Sequence, residues 1–125
     1  MNTLVLAPTV NLAVPESDPA AETDWPQILA WYDDLVALTR NPVAALNRAV
    51  VVGEVDGPLV GLRALDDLDG SLGDHYRLDA VRAHLLERAG DLDEAAGLYL
   101  RAARRTTSLA ERDHLTKRAA RLRSR

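Results

Sequence analysis

The 125-residue chain has no cysteine, no phenylalanine, one isoleucine and one lysine. Without cysteine there is no disulfide, no thiolate nucleophile and no Cys-ligated zinc. Without Phe, and with so little Ile, the faces of a β-sandwich lack their usual residues. No run approaches 18 apolar residues, so no segment reads as a membrane span. Aromatics are few, at two Trp and three Tyr. What is abundant is Leu, with 21 copies, and Ala, with 20. Both are strong helix formers, and they predict an all-α fold. The length fits one domain with or without a tail, and such a chain buries roughly two-thirds of its extended-chain surface.

The formal net charge of −4 conceals an asymmetry. Residues 1–100 carry 6 basic and 17 acidic side chains, whereas residues 101–125 carry 9 basic and 2 acidic. A basic end on an acidic body can dock on that body, on an acidic partner or on phosphate. Nucleic-acid binding usually adds a groove-entering helix or stacking aromatics, and no aromatic follows Tyr99. A solubilising cap on an acidic body is the expected role.

Residues 1–22 differ from the rest, with three prolines and no basic residue. A secretory signal needs a positive start and an unbroken apolar stretch, so this segment reads as a flexible lead-in and the chain as cytoplasmic. The helical domain is expected over residues 23–125. Asp24 and Gln27 resemble a capping box with Pro26 in the first turn, and Ile28, Trp31, Leu35 and Leu38 recur at helical spacing. Asn41-Pro42 caps a second helix reaching about Val55, and Asp56-Gly57-Pro58 stops it and caps the next. A short third helix runs through Leu59, Leu62, Leu65 and Leu68 to a loop at Asp69-Gly70-Ser71 and Gly73. Asp74 is the expected cap of a fourth, closed by Gly90. A fifth starts near Asp91 and ends near Arg105. Ser108-x-x-Glu111 opens a sixth. Short connections make antiparallel neighbours of these helices, giving three stacked hairpins. Trp25, Trp31, Tyr32, Tyr76 and Tyr99 read as core anchors.

Ala83, Gly90, Ala95, Tyr99 and Ala102 have the spacing of a tetratricopeptide repeat, in which small residues let two helices cross closely. A shift of 34 residues lands on Ala49, Asp56, Gly61, Leu65 and Leu68. The small–turn–small order survives, which predicts a two-repeat stack with a leading helix and a polar final helix.

The strings Thr23-Asp24-Trp25-Pro26-Gln27-Ile28, Asn41-Pro42-Val43, Ala45-Leu46-Asn47-Arg48-Ala49-Val50 and Glu54-Val55-Asp56-Gly57-Pro58 carry a family resemblance. Together they resemble the C-terminal extension of a large group of bacterial extracytoplasmic-function sigma factors, over about residues 22–122. In that group a tetratricopeptide-like extension follows two promoter-reading domains, and its D-G-P motif matters for sigma activity. The order His75-Tyr76 reverses the pair usual in the family, and Arg77 and Asp79 replace its small or aliphatic residues. The 125 residues hold neither promoter-reading domain. The resemblance therefore implies a regulatory role through protein contacts, with no direct promoter recognition. The partners implied are RNA polymerase or sigma-factor domains; a peptide-binding adaptor or a self-associating homo-oligomer is the alternative.

No catalytic, metal or cofactor site is expected. His75, His84 and His114 include no pair at metal-ligand spacing on one helix. Asp67-Leu68-Asp69-Gly70 resembles the start of a calcium loop, but Leu78 stands where its final Glu belongs. No phosphate loop or Ser/His/Asp set is recognisable. The candidate partner-binding residues are Asp56, Gly57 and Pro58 on the turn, with Asn47, Arg48, Glu54, Arg77, His84 and Arg88 on the first helix of each pair. In a repeat stack those helices line a groove, with Val43, Leu46, Val50 and Ala80 beside them. Asn47 could bond a peptide backbone, and Arg77 or Arg88 a carboxylate.

Overall fold

A computed structural model of the chain describes residues 23–73 and 75–124. The expected lead-in over residues 1–22 and the Asp74 cap lie outside the described residues. Among these, six helices of seven residues or more are present and no strand. They are α1 (Trp25–Thr39), α2 (Pro42–Asp56), α3 (Pro58–Ala64), α4 (Tyr76–Arg88), α5 (Leu92–Arg105) and α6 (Leu109–Arg123). Each helix packs on its neighbours in sequence, and α4 also lies against α2. The result is an all-α, tetratricopeptide-like stack of antiparallel hairpins.

The helix starts follow local chemistry. Asp24 Oδ1 accepts from the Gln27 N–H at 3.1 Å, Asn41 Oδ1 from Val43 at 2.8 Å, and Ser108 Oγ from Glu111 at 3.2 Å. Each satisfies a donor that the first turn leaves without a partner. Gly90 ends α4 at φ +92, where the Asp91 N–H reaches back to Leu86 O at 2.9 Å. That is the left-handed close in which glycine avoids a Cβ clash.

Two elements differ from expectation. α3 ends at Ala64 and continues as a 3₁₀ turn at Asp66–Leu68 and one helical turn at Asp69–Leu72. The apolar period runs on to Leu68, but Asp66, Asp67 and Asp69 crowd the negative end of the helix dipole. The stretch expected as a loop is thus helical up to Leu72. At the start of α4 the cap is His75, whose Nδ1 accepts from the Arg77 N–H at 3.1 Å.

Two clusters form the core. Between α2, α3 and α4 lie Leu46, Ala49, Val50, Leu65, Leu68, Leu78, Val81 and Leu85. Between α4, α5 and α6 lie Ala80, Ala83, Ala95, Ala96, Tyr99, Ala102, Leu115 and Ala119. The 34-residue register is visible here. Ala49 and Ala83 are buried, as are Gly61 and Ala95, Leu65 and Tyr99, and Leu68 and Ala102. A Cβ on Gly61 would come within 2.9 Å of Ala49 O, so α2 and α3 cross at a contact only glycine fits comfortably.

The expected aromatic anchors divide. Tyr32 and Tyr99 are buried, and Trp25 and Tyr76 are partly covered. Trp31 is 48% exposed and Leu38 83%. α1 rests chiefly on α2, and one neighbour covers only one face of a helix. Tyr32 takes that face, with Trp31 tilted against it at 5.7 Å between ring centroids. Ile28 and Leu35 are partly covered, and Trp31 and Leu38 are left outside.

Candidate functional site

The turn Asp56-Gly57-Pro58 joins α2 to α3 with one residue between helices. Gly57 has φ +102 and ψ 156, a backbone region that belongs almost wholly to glycine. Nothing lies within 4 Å of a Cβ placed there, so the restriction is one of conformation and not of crowding. Pro58 occupies the first turn of α3, where its missing N–H costs no hydrogen bond. Asp56 is the last residue of α2 and is exposed. The start of α3 receives no side-chain cap, so the expected capping by Asp56 is not made. Its carboxylate stands on a rigid turn with no role in ending or starting either helix.

Of the residues expected along a groove, Leu46, Val50 and Ala80 are fully buried between helices, so they belong to the core. Asn47 and His84 are buried at 4% and 8% exposure. Val43 and Arg77 are partly covered. Glu54 and Arg88 pair at 3.2 Å. They are 34 residues apart, so equivalent places in successive repeats are clasped across α2 and α4. Arg48 turns the other way and donates to Asp33 on α1 at 2.6 Å.

A polar cluster continues the face onto α6. Glu87 Oε1 accepts from the Tyr99 hydroxyl at 2.9 Å and from the Arg118 guanidinium at 2.9 Å. Arg118 also lies over the Tyr99 ring, 5.2 Å from its centroid. Burial alone would raise the Glu87 pKa, but the hydrogen bond and charge of Arg118, with the Tyr99 hydroxyl, hold it below its usual value. Burial, chiefly, pushes the Tyr99 hydroxyl upward. His84 is lowered to about 4, first by burial and then by repulsion from Arg118 and Arg88. It is therefore neutral at physiological pH, and it is a poor candidate for binding an acidic group by charge.

The basic end is mostly used by the fold. Asp79, 1% exposed, receives Arg101 at 2.8 and 3.2 Å and Arg105 at 3.0 Å. Arg112 donates to the carbonyls of Ala103 and Thr106, both at 3.1 Å. Lys117 pairs with Asp113 one turn earlier at 3.0 Å. Arg118 is held by Glu87. Arg104, Arg121 and Arg123 remain as exposed cations. Sequence reasoning missed this stapling, although one signal was present. Asp79 and Ala83 are four apart and share the helix face that meets α5, where a carboxylate needs a partner.

No family model and no solved structure matches the chain. A protein of Rhizobium meliloti (strain 1021), named only as uncharacterized, is 33% identical over 90 residues, covering 72% of this chain and 21% of that protein. The chain thus spans about a fifth of the length of this relative.

Proposed function

We propose that the chain is a non-catalytic protein-interaction domain of the kind that extends an extracytoplasmic-function sigma factor, acting in the cytoplasm on transcription through protein contacts. RNA polymerase or the sigma-factor domains are its partners in this reading, and promoter DNA is not. The observation that carries it is the Asp56-Gly57-Pro58 turn. A glycine-dependent turn whose exposed carboxylate serves neither adjoining helix suits recognition better than architecture. The rest of the face supports the same reading. Glu54, on the helix that leads into the turn, forms an ion pair with Arg88, and Asn47 and His84 are buried on the same two helices.

Immobilised full chain titrated with core RNA polymerase, and separately with sigma promoter-reading domains, tests the proposal. Asp56→Ala should weaken binding at least about tenfold, an effect of ~1.4 kcal/mol. Its unfolding free energy should stay within about 0.5 kcal/mol of the parent, because no cap is lost. Equal dissociation constants for parent and variant would reject the role of Asp56. No binding of either partner by the parent would reject the transcription reading.

A further inference from the structure

Two surfaces remain open at the two ends of the stack. At one end, α1 exposes Trp31 and Leu38, with Ile28 and Leu35 partly covered beside them. At the other, α5 and α6 leave an open depression of about 460 Å³ lined by Leu100, Ala103, Arg104, Arg112 and Thr116. We propose that α1 of one copy of this chain docks into the α5–α6 depression of another, so that copies stack head to tail.

The argument is one of shape and charge together. In a stack of hairpins each apolar flank is covered by the next element, and an end unit needs a polar outer face. α1 lacks one. It contains Asp33 and Asp34 and no Lys or Arg. Asp33 is paired with Arg48, whereas Asp34 is exposed, three residues from Trp31 and four from Leu38. Side chains at those spacings are neighbours on one helix surface, about 5–6 Å apart at Cβ. Trp31 seated on Leu100 and Ala103 therefore brings Asp34 to the arginine rim of the depression. Arg104 is exposed there and Arg112 adds its charge.

Other occupants of the stripe fit less well. Two α1 helices pairing antiparallel about Asp33 would set each Asp34 against the acidic pair of its partner. Residues 1–22 contain Glu16, Asp18 and Glu22 and no basic side chain, so they offer Asp34 no cation. The basic end of a second copy offers both the apolar floor and the charge. Such a contact is heterologous and leaves a new end open each time, so assembly does not stop at a dimer. One helix in a shallow depression makes a small interface, so the association is weak and screened by salt. This inference does not rest on the transcription reading.

Sedimentation velocity of the full chain, from micromolar to millimolar concentration, gives the test. The parent should grow beyond a dimer as concentration rises, and high salt should reverse the growth. Trp31→Ser and Arg104→Glu should each remain monomeric; circular dichroism checks their fold, and Leu38→Glu serves as a second variant of the stripe. Mixed together, Trp31→Ser and Arg104→Glu chains should form a one-to-one pair that grows no further, because each supplies the face the other lacks. A parent that stays monomeric throughout would overturn the proposal. So would a mixture that stays monomeric, or an Arg104→Glu chain that assembles like the parent, which would mean pairing of α1 on α1.

Discussion

Between α4 and α6 several charged side chains are paired across helices, whereas between α1 and α3 apolar and acidic groups are left at the surface. Asp79 is gripped by Arg101 and Arg105, Glu87 by Tyr99 and Arg118, and two carbonyls by Arg112. At the other end Trp31 and Leu38 are exposed, and Asp56 caps no helix. The difference follows from helix count. α5 has a helix packed on each side of it, so its charges must be paired where they are covered. α1 has one main neighbour, and Trp31 and Leu38 on it stay exposed. In the proposed reading the turn in the N-terminal half carries recognition of the transcription partner, and the paired charges of the C-terminal half hold the fold.

The sharpest way to break this comparison uses two aromatics at like helical spacing. Tyr99→Ala should cost about 4 kcal/mol in urea unfolding, because it empties a fully buried site and removes one of the two hydrogen bonds to Glu87. Trp31→Ala should cost less than about 1 kcal/mol, since half of that ring is already in water. Equal costs would erase the distinction between the two ends.

Removing the deepest staple should come next. Asp79→Ala loses three charge-assisted hydrogen bonds, at a cost of about 3 kcal/mol. Arg101 and Arg105 keep some access to water, which holds the figure toward the lower end for a broken buried pair.

Acid titration should find the same half. The folded pKa of His84 is about 4 against 6.5 when unfolded, so the unfolded chain binds more protons between those values. Stability is therefore complete above pH 6.5 and is lost as pH falls toward 4, by up to roughly 3 kcal/mol. Glu87, also lowered, adds loss in the same direction at the acid end. His84→Leu should flatten the slope between pH 6.5 and 4, and an unchanged slope would place the proton uptake elsewhere. The smallest effect belongs to the N-terminal half. Arg48→Ala breaks a largely exposed pair with Asp33 and should cost under about 1 kcal/mol in the same unfolding assay.

Much of the fold was legible because it rests on local rules. Asp24, Asn41 and Ser108 mark their helices by bonding donors two or three residues on, and Gly57 and Gly90 mark the stops by backbone freedom. The 34-residue register was readable because Ala49 with Gly61, and Ala83 with Ala95, are the small residues that close crossings require. The rest depends on which distant residues meet. Arg101 and Arg105 find Asp79 from 22 and 26 positions away, a pairing set by how α4 crosses α5. The exposure of Trp31 was hidden for a similar reason. Period shows that a face is apolar, but the number of neighbours decides whether it is covered. Of the candidate site, the turn was legible from Gly and Pro, while the idleness of the Asp56 carboxylate emerged only from the hydrogen bonds at the start of α3.

The division into a recognition half and a scaffold half is tested most directly by measuring core RNA polymerase binding to two single variants side by side. Asp56→Ala should raise the dissociation constant at least about tenfold while Arg121→Ala, an exposed cation on α6, leaves it within about twofold. Loss of binding with Arg121→Ala, and none with Asp56→Ala, would put the contact on the basic end and contradict the account.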